Sequence, residues 1–168
     1  MSSNSSRERK VLLLLHPKRE SALTSALEIG RGLAAAGIAV EHHLSSDGSG
    51  VPEIVRYSGR PIRDFELILV LGGDGTMLRS AEMAYGTSIP ILGINIGHMG
   101  FLAEVERPSN EEIVAAVVSR EYVREERMSI SYEIERHNGV VDSGWALNEI
   151  VIEKESSQMV ELFVSVDQ

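Results

Sequence analysis

Asp74 stands among three glycines, Gly72, Gly73 and Gly75, in the stretch LVLGGDGTMLRS from Leu69 to Ser80. An apolar run, Leu67 to Val70, leads into the stretch and a helix-like pattern follows. The turn therefore falls where a buried strand hands over to a helix. Glycines there let the backbone take positive φ and let a ligand approach closely. The start of the helix offers backbone N–H groups and a positive dipole end to a phosphate. Thr76 caps that helix or donates to a phosphate oxygen. A carboxylate repels phosphate, so a pure phosphate cradle has no use for Asp74. It does suit a site where a hydroxyl gives up its proton as it attacks phosphorus, with Asp74 as the general base. Taken alone, Gly-Asp-Gly reads more readily as an ordinary N-cap or turn. The stretch has neither the Lys-Ser/Thr pair of a Walker A loop nor the G-x-G-x-x-G spacing of a dinucleotide fingerprint.

The surrounding elements place this turn. Val11–Leu15 reads as a strand buried on both faces. The following segment carries Leu23, Leu27 and Leu33 on one helical stripe, with Ala26, Gly30 and Ala34 filling it and Gly37 as a C-cap. Ile38–His43 is a second strand. Ser45 to Asp64, rich in Ser, Gly and Asp with Pro52 and Pro61, reads as a loop with one short helix near Pro52–Tyr57. The third strand is Leu67–Leu71. A helix from about Met77 to Tyr85 follows, with Leu78, Ala81 and Tyr85 inward and Gly86 past its end. Ile89–Ile94 is the fourth strand. Ser109-x-x-Glu112 is a capping box that starts a helix. Alternating strands and helices imply an α/β fold with a doubly wound, mostly parallel sheet.

After about Tyr122 the pattern changes. Met128, Ile130, Tyr132 and Ile134 alternate with polar residues, and Asn138-Gly139 signals a hairpin. Val140-Val141, Ile150–Ile152 and Leu162–Val164 continue in strand style. The expected organisation is a disordered tail over 1–9, an α/β domain over 10–122, and the beginning of a β-rich antiparallel domain over 123–168. The alternation is still running at LFVSVDQ, which suggests a piece of a longer protein.

Composition sets the outer bounds. The 168 residues are 43% hydrophobic and 24% charged, an ordinary globular balance. The formal net charge of −9 argues against a nucleic-acid partner, which needs clustered Lys and Arg. There is no cysteine, so disulfide and thiolate chemistry are excluded and a cytoplasmic setting is expected. The longest apolar run near the N-terminus is too short for a signal peptide or a membrane span. His42-His43 has no carboxylate or third ligand nearby, and it reads as strand surface rather than a metal site.

LGGDGTMLRSAE resembles the signature of the NAD kinases. PILGINIGHMGFLAE, Pro90 to Glu104, is similar to the N-x-G-x-x-G-F-L segment of that family. GWALNEIVIEK, Gly144 to Lys154, is similar to its Asn-Glu motif. The three occur in the family's order and spacing. Gly-Gly-Asp-Gly by itself is shared with diacylglycerol-type lipid kinases and phosphofructokinases.

The resemblance implies transfer of the ATP γ-phosphoryl to the 2′-hydroxyl of the adenosine ribose of NAD, giving NADP. It implies Asp74 as the catalytic base, and Gly72, Gly73, Gly75 and Thr76 as holders of phosphate. NAD is expected to meet Asp74, Gly75, Arg79, Phe101, Asn148 and Glu149. Phe101 is expected to pack on adenine or else to cover the sheet edge; Arg79 reaches a phosphate or is solvated; Asn148 and Glu149 bond the ribose hydroxyls and nicotinamide end, or are an exposed strand pair. His98 is expected to be a loop residue. No metal cage is written in the sequence, so Mg²⁺ would arrive with ATP. A homo-oligomer, dimer or tetramer, is implied, with neither a membrane nor nucleic acid as partner. The family's later Gly-Ser-Thr-Ala-Tyr segment is not in the chain, which implies that these 168 residues are inactive alone. Two alternatives stand beside this reading: a lipid kinase with the same aspartate turn, and a non-catalytic nucleotide-binding module.

Overall fold

A computed structural model of the chain describes residues 8–16, 20–44, 50–96, 108–147, 149–151, 153 and 163–166. These fall into two compact units, Met1–Glu125 and Glu126–Gln168. The expected tail, the loop containing His98 and Phe101, and Asn148, Ile152 and Leu162 lie wholly or largely outside the described residues.

Strands with an apolar residue at every position suit a sheet covered on both faces. Val11 to Leu15 and Leu67 to Leu71 are all essentially inaccessible to solvent. They form β1 (Lys10–Leu15) and β4 (Leu67–Gly72), neighbours at the centre of a five-stranded sheet. The other strands are β2 (Ala39–Leu44), β3 (Val55–Arg56) and β5 (Ile91–Asn95). The order is β3-β2-β1-β4-β5 and every pairing is parallel.

Alternation along the strands divides the core in two. Val11, Leu13, Leu15, Leu67, Leu69 and Leu71 pack with α1 (Glu20–Ala35) and α3 (Asn110–Ser119). Leu12, Leu14, Ile68 and Val70 pack with Ala84, Met77 and Met83 of α2 (Asp74–Ala84) on the opposite face. The sheet is doubly wound, as the alternation of elements implies. The expected capping box is present. Ser109 Oγ accepts from the Glu112 N–H at 3.1 Å, and the Ser109 N–H donates to Glu112 Oε2 at 2.7 Å. Gly37 and Gly86, expected past helix ends, have φ of +78° and +72°. Among the described residues, no helix is long and apolar enough to cross a membrane.

Several expectations are corrected. The stretch around Pro52–Tyr57 holds no helix. It holds the two-residue strand β3, paired with Glu41 and His42, and the short helix lies later, as a 3-10 turn at Ile62–Asp64. His42 is not strand surface. It is 3% exposed, and its ring is bonded on both nitrogens by the segment carrying β3. On α1, Ala34 is exposed, while Ala22 and Ile29 belong to the core. Helix α2 starts at Asp74 rather than Met77. Thr76, Ser80 and Ala84 face inward, while Leu78 and Tyr85 are exposed. The inward stripe is built of small residues, which brings α2 close to the sheet but gives it a weak hydrophobic signature.

In the second unit, β6 (Ile130–Glu135) and β7 (Val141–Ala146) pair antiparallel. Asn138-Gly139 makes their turn as expected. Gly139 has φ of +78°, Arg136 N–H donates to Val140 O at 2.8 Å, and Val140 N–H donates to Asn138 Oδ1 at 3.1 Å. Ile150, Val151, Phe163 and Val164 are in no strand, contrary to the sequence pattern. Alternation marks which residues would suit a sheet, but pairing needs a partner strand.

Candidate functional site

The chain order of the sheet reverses between β1 and β4: β1 is followed by β2 on one side, and β4 by β5 on the other. In such sheets ligands bind at the carboxyl ends of the strands flanking the reversal. Gly72 is the last residue of β4, Gly73 is the N-cap of α2, and Asp74 and Gly75 are its first two residues. The glycine-aspartate turn therefore sits at that crevice.

Local packing explains the turn. A Cβ on Gly72 would lie 2.6 Å from Thr76 Oγ1 and 2.7 Å from Thr76 Cβ. Only glycine lets the first turn of α2 close down onto the end of β4. None of Gly72, Gly73 and Gly75 has a positive φ, so the turn needs them for space rather than for a left-handed backbone. At Gly75 a Cβ would meet nothing within 4 Å, which leaves bare backbone open at the head of the helix.

The head of α2 is open. No side chain caps it. The N–H groups of Thr76 and Met77 both bond to Gly73 O at 3.0 Å. Those of Asp74 and Gly75 have no carbonyl to reach inside the helix. The Asp74 side chain is exposed beside them. Thr76 is 3% exposed and lies over Gly72. Its side chain is used in packing and does not cap the helix. Arg79, one turn along, is exposed and pairs with Glu82 at 3.5 Å. Its charge also contributes, after burial, to lowering the pKa of His43 at the end of β2. Glu149 is exposed and belongs to the second unit.

Two residues at this edge carry no sequence signal of their own. The His16 N–H, just past β1, donates to Leu71 O at 3.4 Å. Asn95, the last residue of β5, is in register with Gly72. Strand order alone brings them beside the turn. A separate cavity of about 580 Å³ opens at the opposite edge of the sheet, lined by Arg9, Lys10, Arg63, Glu66 and Arg120 among others. Arg9 and Arg120 both bond Glu66 there and Lys10 pairs with Glu8, so its charge is largely internally matched.

The geometry defines a doubly wound α/β domain with an uncapped helix start and an exposed carboxylate at its switch point. The family model for the ATP-NAD kinase N-terminal domain matches residues 11–122, and the chain belongs to this family. It is 39% identical to "NAD kinase 2" of Streptomyces coelicolor over 96% of this chain and 56% of that protein. It is 42% identical to the NAD kinase of Mycolicibacterium paratuberculosis over 88% of this chain and 53% of that one. The fold matches the crystal structure of a yeast NADH kinase complexed with NADH, with a TM-score of 0.63 at 19% identity, over 86% of this chain and 45% of that one. The chain spans about half the length of the curated relatives it matches.

Proposed function

We propose that the protein carrying this chain is an ATP-dependent NAD kinase that phosphorylates the 2′-hydroxyl of the adenosine ribose of NAD. The observation that carries this reading is the exposed Asp74 at the uncapped head of α2, at the carboxyl end of a central strand. In the reaction, the 2′-oxygen attacks the γ-phosphorus of ATP and the bond from that phosphorus to the bridging oxygen breaks. ADP leaves with the bonding electrons, and the hydroxyl proton passes to the Asp74 carboxylate. Backbone N–H groups at Gly73, Asp74 and Gly75 face the phosphates. The bare surface at Gly75 allows close approach to the substrate.

Arg79, Phe101, Asn148 and Glu149 are assigned to NAD; a cis-diol needs paired donors and acceptors, and Asn beside Glu supplies both. Among the described residues, no three His, Cys, Asp or Glu side chains gather to hold a metal. The donor is read as the Mg²⁺ complex of ATP, its ion held mainly by phosphate and water. Residues 10–122 are read as the nucleotide-binding domain and 123–168 as the start of a β-rich one, in a cytoplasmic homo-oligomer. The test is a coupled assay of NADP formation by the full-length protein, with ATP and NAD varied separately. Asp74→Asn is expected to lose on the order of 10²–10⁴ in kcat while NAD affinity stays within a few fold. Near-normal turnover of that variant would remove the assignment of Asp74 as the base.

A further inference from the structure

Alternation along three adjacent strands fixes which residues flank the head of α2. On β1, Leu12 and Leu14 belong to the cluster under α2. The ladder bond from the His16 N–H to Leu71 O carries the strand one residue further, so His16 falls on that same face. On β4, Ile68 and Val70 face α2, and Gly72 continues the series under Thr76. On β5, Ile91 packs in the same cluster and Gly93 lies against Met77, which puts Asn95 on that face too. His16, Gly72 and Asn95 thus end three neighbouring strands on one face. Adjacent strands lie about 4.8 Å apart.

We propose that His16 is a positioning residue for the phosphoryl donor, its imidazole N–H donating to a non-bridging oxygen of the donor's terminal phosphates. The inference rests on the kinase reading above. His16 is the side chain on the β1 side of Gly72, beside the turn assigned to phosphate, and it is partly exposed. The glycine turn contains no lysine, and its charged side chain, Asp74, is an anion. A terminal phosphoryl group spreads negative charge over three oxygens during transfer and needs donors aimed at them. Backbone N–H groups at the head of α2 supply some, and an imidazole supplies another whichever nitrogen carries its proton. Arg79 lies a turn further along α2 and is assigned to NAD.

Steady-state kinetics on the full-length protein tests this, using His16→Ala, His16→Gln and Asp74→Asn. Loss of a charge-assisted hydrogen bond predicts that His16→Ala raises KM for ATP by about 10- to 100-fold. KM for NAD is expected to stay within about twofold. His16→Gln keeps an N–H donor and is expected to recover most of the loss. If His16→Ala does not fold, His16→Leu keeps the bulk without the donor and is expected to show the same rise. An unchanged KM for ATP, or a rise in KM for NAD instead, overturns the proposal. Failure of the underlying kinase reading is seen separately, as no NADP formed by the unsubstituted protein or near-normal turnover of Asp74→Asn.

Discussion

Two glycines in one turn serve opposite ends. Gly72 has no room for a side chain, because Thr76 already lies where a Cβ would go. Gly75 has ample room and is nonetheless bare. The first is required by folding; the second is required only if something else must come close. Gly72→Ala is expected to cost about 1–3 kcal/mol of stability, the usual range for forcing an extra methyl into a packed site. Adding Thr76→Ala relieves only part of that, since the Thr76 Cβ itself is 2.7 Å from the new methyl. Gly75→Ala is expected to stabilise the chain by about 0.5–1 kcal/mol, because alanine loses less backbone entropy than glycine inside a helix. It is also expected to impair NADP formation by the full-length protein. Urea midpoints and initial rates for both variants check the pair. A Gly75→Ala enzyme of normal activity would show that no substrate approaches that backbone.

The central strands were legible from their continuous apolar runs and two turns from local rules, whereas β3, held by distant partners, was not. The Ser109 capping box and the Asn138-Gly139 turn close on groups within four residues of themselves, so residue identity sufficed. Strand β3 closes on α1 and β2 instead. Arg31 meets Glu53 at 2.8 Å, but both side chains are more than half exposed, so this pair contributes little. The firmer ties are Ile54, seated against Gly30 of α1, and His42, whose Nε2 accepts from the Val51 N–H at 3.2 Å while Nδ1 meets Ile54 O at 3.1 Å. The same reason separates the parts of the site. Asp74 announces itself by its glycine neighbours, whereas His16 and Asn95 reach the turn only through strand order.

The His42 bonds carry a pH dependence. The bond from Val51 requires an unprotonated Nε2, so folding selects the neutral ring. Burial lowers its pKa below 6.5, outweighing the opposing effect of the Ile54 and Val55 carbonyls. A histidine whose folded pKa is depressed lends stability that is complete above about pH 6.5 and lost as pH falls through the folded value. Glu66 responds at lower pH. Burial opposes its ionisation, but bonds from Arg9 and Arg120 prevail and hold its carboxyl below the usual range. The urea midpoint is therefore expected to fall between about pH 7 and 5, with the Val51 amide losing exchange protection early. His43, depressed mainly by burial, adds a change of the same sign, so His42→Gln should flatten the slope without abolishing it. An unaltered slope in His42→Gln would assign the effect elsewhere.

At the scale of the whole chain, the two units differ in what they can bury. Met1–Glu125 has a central sheet with apolar side chains enclosed on both faces, by α1 and α3 on one and α2 on the other. A core of that kind supports an independent cooperative transition. Glu126–Gln168 has one hairpin among its described residues, and Ile130, Ile134, Val140 and Val141 on it are 40–52% exposed. A lone two-stranded ribbon is marginal in water, and its edges invite pairing with other chains. Residues 1–125 expressed alone are therefore expected to unfold cooperatively, at a urea midpoint close to that of the first unit within the 168-residue chain. Residues 126–168 alone are expected to show no cooperative transition. The 168-residue chain should self-associate on size exclusion, lose this behaviour when cut to 1–125, and form no NADP. Hydrogen exchange should show the hairpin amides exchanging far faster than those of β1 and β4. A cooperative transition in the isolated 126–168 segment would show that it folds by itself; a monomeric 168-residue chain that forms NADP would show that these residues suffice for the reaction.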